Sequence, residues 1–308
     1  MSKATGSLPH PSRWIKCVST QSNIRGVAIQ ATGLVQEIAD RHGIQGQTQK
    51  GLGEAVVAGL LIGSFCKAGE RINLNIQASG LYRQALIDAH PNGTVRGYVS
   101  ERTEASAARF DGNLAGKGPW GSGLMSVLRT KGEEGKQPYI GTVPLVTGHL
   151  AKDLTYYWMQ SEQIPSAVGL VTEVQGNKVI SAGGFLVQAL PGASAAEIMS
   201  IEHHINDLQS LAGELTQDAD PIKLLSRIFQ SSAFAVVEEK PLFFECNCSW
   251  SRVERALVLV GPSELRAMLK EDHHASVRCD FCAKEYEVTS EALEQMIAAS
   301  ESDSKPEN

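Results

Sequence analysis

Cys246-Asn247-Cys248 and, thirty residues on, Cys279-Asp280-Phe281-Cys282 decide how the remainder of this 308-residue chain is read. A thiol pair one or two residues apart can aim both sulfurs at one small cation, because the backbone between them turns back on itself. Two such pairs supply the four thiolates of a closed, tetrahedral, structural zinc site. The competing reading is two unrelated pairs of small buried hydrophobes, since free cysteine packs well in cores. Four of the six cysteines crowd into 37 residues, which favours the metal. The Cys-x-Cys half is unusual, because zinc ribbons and fingers mostly space their cysteines wider. His273 and His274 stand close to Cys279 and are further candidates for a Cys3His site, but four cysteines already fill a tetrahedron.

Around these pairs, residues 241–308 read as a small C-terminal module. Ser251-Arg252-Val253-Glu254 has the form of a capping box for a helix ending at Gly261. Pro262-Ser263 opens a short helix carrying Leu265, Met268 and Leu269. Residues 278–289 read as a hairpin pinched by Cys279 and Cys282, and Ser290 as the cap of a last helix with Leu293, Met296 and Ile297. The tail, 300–308, has a disordered composition. A module of about sixty residues with so few large apolar side chains is marginal without a staple. Zinc held by four thiolates contributes on the order of 10–16 kcal/mol, more than the ~5–15 kcal/mol that stabilises a typical domain. Without its metal, the module is expected to unfold. Zinc also keeps the sulfurs as thiolates, the form that attacks peroxide.

Upstream, residues 191–240 read as a helical linker. Ser194-Ala195-Ala196-Glu197 is a capping box before Ile198, Ile201, Ile205 and Leu208 at helical spacing. Asp220-Pro221 starts another helix, with proline in the first turn, carrying Ile222, Leu225 and Phe229. One apolar stripe per helix must be buried, most simply on the N-terminal domain. His203 and His204 lie on this linker, where a histidine pair is more often surface polar than metal-binding.

Residues 1–190 read as that domain, beginning with a dozen polar, loosely held residues. A strand over 23–31 precedes a helix capped by Thr32 and stopped at His42-Gly43, and an Ala- and Gly-rich helix follows over 51–66. From Arg71 the period changes to two, with Ile72, Leu74 and Ile76 on one face. His90-Pro91-Asn92-Gly93 joins two strands as a hairpin, 101–117 reads as a loop, and a strand follows over 124–129. The glycines between 116 and 123 match neither a dinucleotide fingerprint nor a phosphate loop and read as tight turns. An amphipathic helix over 147–163 and a hairpin of strands at 167–174 and 178–187 complete the domain. Hairpins outnumber crossovers, so the fold class is α+β. Cys17 and Cys66 read as packing thiols.

Composition bounds the function. A 42% hydrophobic, 20% charged chain has room for a sizeable core and two domains. Its net charge of −6 argues against a nucleic-acid partner. The N-terminus has no apolar signal core, and the apolar stretch 55–65 is too short to span a bilayer, so no membrane partner and a cytoplasmic location are expected. In that reducing compartment clustered cysteines are metal-binding or redox-active more often than structural disulfides. A zinc hydrolase or deaminase needs an open coordination position and a general base, and no His-x-Glu occurs in the chain. A zinc-ribbon nucleic-acid binder or structural interaction protein is the remaining alternative, the nucleic-acid reading being disfavoured by charge.

The cysteine pattern resembles that of the heat shock protein 33 family, redox-regulated holdase chaperones. Supporting stretches are Gly80, Gly93-Thr94-Val95-Arg96-Gly97-Tyr98-Val99, Tyr156-Tyr157, Ser161-Glu162-Gln163, Ala182-Gly183-Gly184-Phe185 and Leu190-Pro191-Gly192. Gly118-Pro119-Trp120-Gly121-Ser122-Gly123 departs from the family, being bulkier than the Gly-x-Gly turn expected there. The resemblance implies a non-enzymatic chaperone that is poorly active when reduced and loaded with one Zn2+ on Cys246, Cys248, Cys279 and Cys282. It implies disulfides Cys246–Cys248 and Cys279–Cys282 on oxidation, with loss of zinc and unfolding of module and linker. The activated form is expected to be a homodimer that captures unfolding client proteins without ATP.

Overall fold

A computed structural model of the chain describes residues 12–101, 117–131, 137–208, 210–217, 220–230, 232–271 and 274–302. It separates into two units, Met1–Glu245 and Cys246–Asn308. The architecture is α+β, with thirteen strands and nine helices among the described residues.

The first unit is organised around a helix that is apolar on almost every side. Helices α1 (Thr32–His42) and α2 (Gln47–Gly63) follow strands β1 (Arg13–Ser19) and β2 (Ile24–Gln30). A helix without a polar face must be enclosed, and α2 packs against both of the unit's large sheets. Its glycines make the fit possible. A Cβ at Gly53 would stand 2.3 Å from Thr172 Oγ1 on one sheet, and one at Gly59 would stand 2.6 Å from Ile87 Cγ2 on the other.

One sheet is a six-stranded array built from β3 (Arg71–Ala78), β4 (Tyr82–Ala89), β5 (Thr94–Glu101), β6 (Gly123–Thr130), β7 (Tyr139–Leu145) and β11 (Phe243–Phe244), in the order β11-β5-β4-β3-β6-β7. Its pairings are antiparallel except β11 with β5. The hairpin expected at 90–93 is present, closed by the His90 N–H on Thr94 O, with Gly93 at φ +93°. Residues 102–116 of the expected loop lie outside the described residues. The bulky Gly118–Gly123 turn encloses Trp120, whose Nε1 donates to Glu54 Oε2 at 2.9 Å and whose ring lies 4.8 Å from that of Tyr82. Helix α3 (Leu150–Ser161) packs beside β7.

The second sheet has five antiparallel strands in the order β10-β1-β2-β9-β8, from β8 (Ser166–Gln175), β9 (Lys178–Ala189) and β10 (Phe234–Pro241) with β1 and β2. It is buried on both faces, so β9 reads as a nearly unbroken apolar run rather than an alternation. In β2, Val27 and Ile29 face the core around α2, while Ile24 and Ala28 face a second cluster. Three helices complete that cluster: α4 (Ala195–Asn206), α5 (Leu211–Gln217) and α6 (Pro221–Phe229). They bury Ile201, Leu215, Leu224, Leu225, Ile228 and Phe229 against Ile15, Cys17, Phe185 and Val187. The linker stripes thus lie on the five-stranded sheet.

Both linker caps form as their sequences predict. Ser194 and Glu197 make the reciprocal capping box, and Asp220 accepts from the Ile222 N–H ahead of Pro221. Two others differ. Thr32 is the first helical residue rather than the cap, and its Oγ1 accepts the Ala182 N–H at 3.0 Å, tying α1 to β9. Ser251 lies inside its helix, for which Ser249 holds the N-cap position.

The second unit contains α7 (Trp250–Val260), α8 (Pro262–Glu271), the hairpin β12 (Ala275–Arg278) and β13 (Glu285–Val288), and α9 (Ser290–Ser302). Here too the cap shifts by one residue, with Thr289 Oγ1 accepting the Ala292 N–H. Its buried apolar core consists of Val253, Leu257, Leu265, Tyr286, Val288, Leu293 and Met296. Seven side chains are a slender core for a unit of this size.

Candidate metal centre

The tip of the β12–β13 hairpin shapes one half of the site. After Cys279 the chain reverses so tightly that the Ala283 N–H reaches Cys279 O at 2.8 Å and the Cys282 N–H reaches it at 3.4 Å. Ala283 takes φ +57° to complete the turn, and the Cys279 N–H bonds to Lys284 O at 2.9 Å. Both thiols of the Cys-x-x-Cys pair are thereby placed on the same side of the turn. The other half, Cys246 and Cys248, immediately precedes α7.

All four Sγ atoms lie within 4.8 Å of one another. Cys248 Sγ stands 3.4 Å from Cys282 Sγ, and Cys246 Sγ stands 3.9 Å from Cys279 Sγ. Four thiolates at a Zn–S distance of about 2.3 Å form a tetrahedron with edges of about 3.8 Å, so the observed cluster fits one such ion. All four cysteines are half-buried free thiols. Burial acts to raise the Cys248 thiol, but a 3.1 Å hydrogen bond from Tyr286 Oη and contacts with the other three sulfurs bring it down to about 7. Burial pushes Cys279 and Cys282 up. Cys248 thus ionises more readily than Cys279 and Cys282, and a bound cation would draw all four cysteines into the thiolate form.

Tyr286 is a member of the site that the cysteine spacing does not reveal. It belongs to β13, four residues beyond Cys282, where strand alternation turns it towards the module core and the sulfurs. His274 is exposed and is not part of the sulfur cluster, and His273 lies outside the described residues. On the linker, His203 Nε2 lies 3.2 Å from Asp207 Oδ2 and His204 Nδ1 lies 3.0 Å from Ile228 O, so neither joins a metal group among the described residues. Cys17 and Cys66 are packing thiols, as expected, each in a different apolar cluster of the first unit.

Residues 12–289 match the family model described as Hsp33 protein. The chain belongs to the Hsp33 family. A "33 kDa chaperonin" of Geobacter sulfurreducens is 37% identical over 92% of this chain and 93% of its own length. Another "33 kDa chaperonin", from Shouchella clausii, is 32% identical over 94% and 98% of the two chains. The crystal structure of the 33 kDa chaperonin (heat shock protein 33 homolog) from Thermotoga maritima superposes with a TM-score of 0.84 at 30% identity, covering 96% of this chain and all of the other. Membership of the Hsp33 family agrees with the resemblance carried by the cysteine signature, and the α+β fold agrees with the reading from the hairpins. Among the described residues no helix is long and apolar enough to cross a membrane.

Proposed function

We propose that this Hsp33 family protein is a cytoplasmic, ATP-independent holdase, poorly active when reduced and activated by oxidation of its C-terminal cysteines. The observation that carries the proposal is the convergence of four thiols within 4.8 Å in a unit with so small a core. Cys246, Cys248, Cys279 and Cys282 would hold one zinc ion. When bound, zinc supplies the folding free energy that this core lacks and keeps the sulfurs deprotonated. Tyr286 positions Cys248 and donates a hydrogen bond to it.

On oxidation each close pair gives two electrons to a peroxide. One S–S bond forms in each pair, Cys246–Cys248 and Cys279–Cys282, and the peroxide oxygens leave as water after taking up two protons. A disulfide sulfur no longer serves as a thiolate ligand, so the module loses its staple and unfolds. Within the linker, residues 191–240, the helices α4–α6 then detach from the domain of residues 1–190, whereas β10 is a strand paired with β1 and not part of the helical layer. Release of α4–α6 exposes the apolar side chains they bury on the five-stranded sheet, a surface suited to unfolding polypeptides. The same exposure accounts for homodimer formation in the active state. No substrate turnover is involved, and the net charge of −6 disfavours nucleic acid.

The test compares reduced, zinc-loaded protein with peroxide-treated protein in suppressing aggregation of a heat-denatured client. Zinc content and disulfide-linked peptides are followed in the same samples. Suppression is expected only after oxidation, together with zinc loss. Equal activity in both states, or unchanged zinc after oxidation, would sink the proposal.

A further inference from the structure

The first unit has a cleft of about 600 Å3 between β1 and β10 of the five-stranded sheet and the strand ends of the six-stranded one. The five-stranded sheet contributes Lys16 from β1 and Glu238 and Lys240 from β10. The six-stranded sheet contributes Arg71 from the start of β3, with His90 and Asn92 from the β4–β5 turn. In a chain of net charge −6, three cationic side chains here face two carboxylates, Glu238 and Glu70.

Both carboxylates are already engaged. Glu238 Oε1 accepts from Trp14 Nε1 and from Lys16 Nζ, each at 2.8 Å, and Oε2 lies 3.3 Å from Lys240 Nζ. Two lysines therefore share one negative charge. Glu70 Oε2 accepts the Lys67 N–H at 2.9 Å, closing its own turn. The donors are less fully used. Arg71 donates through Nε to Thr130 Oγ1 at 3.1 Å, and among the described residues its two Nη groups have no hydrogen-bond partner. Asn92 accepts through Oδ1 from Thr94 N and Oγ1, which leaves its amide NH2 to donate. The His90 imidazole lines the cleft as a further N–H donor.

We infer that this cleft binds a phosphate-bearing anion of nucleotide size. The planar Arg71 fork can take two oxygens of one phosphoryl group, while Lys16 and Lys240 act as point charges, the Lys240 ammonium reaching across to Pro91 O at 2.9 Å. The cleft is far larger than a lone phosphate requires and lies within the range of small-molecule sites, ~300–1,000 Å3. A ligand held there would bridge the two sheets. This inference does not depend on the redox reading, because none of its residues belongs to the metal centre.

The test is calorimetric titration of reduced full-length protein with tripolyphosphate and, separately, with AMP, at low ionic strength. At least one probe binds at one site per chain. Arg71→Ala weakens that binding by about tenfold or more, through loss of a charge-assisted pair of hydrogen bonds. Arg71→Lys, which keeps the charge, falls between the two and guards against a folding defect. Arg83→Ala, an exposed arginine of β4 outside this cleft, leaves binding unchanged. Failure of both probes, equal affinity in Arg71→Ala, or equal weakening in Arg83→Ala overturns the site. AMP without tripolyphosphate identifies a nucleotide as the ligand, and the reverse identifies a polyphosphate.

Discussion

Truncating Phe229 to alanine separates the linker from the cysteines without touching either pair. The ring is wholly buried, its centroid lies 5.4 Å from that of Phe234, and a Cβ placed on Gly26 of β2 would stand 3.0 Å from Phe229 Cε2. It therefore lies directly on the sheet, with no room to collapse inward. Removing a fully buried phenylalanine costs about 3–5 kcal/mol. If α4–α6 open as a layer, that cost raises the open population roughly 10²–10⁴-fold. The loss falls on the linker cluster, since Phe229 belongs to it and not to the core around α2. Hydrogen exchange on the reduced protein should accelerate across residues 195–229 while α2 keeps its protection. The same reduced variant should suppress client aggregation without peroxide. Equal acceleration in α2 would refute the separate-layer argument, and fast exchange with no gain in chaperone activity would refute the linker's role as the gate.

Three further outcomes are expected. Cys279→Ser should lose tight zinc binding by elemental analysis and become protease-sensitive beyond residue 245; unaltered resistance there counts against a structural metal. Burial pushes Cys17 up to about 12 and Cys66 to about 11, so iodoacetamide at neutral pH should leave both unlabelled in the folded protein. In Phe229→Ala, Cys17 should gain label and Cys66 should not, and cysteine-resolved mass spectrometry that finds both equally labelled contradicts this. At Glu238 burial acts to raise the pKa, but hydrogen bonds from Lys16 and Trp14 bring it below the usual 4.5. A depressed carboxylate stabilises above its unfolded pKa, and that stability disappears as pH falls through the folded value. The stability gap between wild type and Glu238→Gln should therefore be full above pH 4.5 and close below it; urea midpoints with a pH-independent gap would contradict this.

Strand β1 shows why parts of the fold were not legible. Both faces of Arg13–Ser19 are covered, by the core around Trp14 on one side and by the linker cluster around Ile15 and Cys17 on the other. Polar and apolar residues therefore do not separate by period, and the strand merges with the polar N-terminus. Strand β10 is held by pairing with β1, more than two hundred residues away, a partner that local patterning cannot supply. Edge strand β7 carries Pro144 and exposed Ile140, which weakens its strand signal. Ser251 mimicked a cap because a capping box is a four-residue pattern that also fits two residues past the true N-cap, Ser249.

The chain's sequence by itself determined the elements whose causes are local: the 90–93 hairpin, the linker caps at Ser194 and Asp220, and two cysteine pairs spaced to share one cation. Short spacing suffices there because each constraint acts over a few residues of backbone. Only the tertiary structure decided that α2 is enclosed by two sheets, that the linker helices cover the five-stranded one, and that Tyr286 joins the sulfurs. Those outcomes depend on which faces meet after the chain has closed its long loops, and burial is a property of the pair of surfaces rather than of either segment alone.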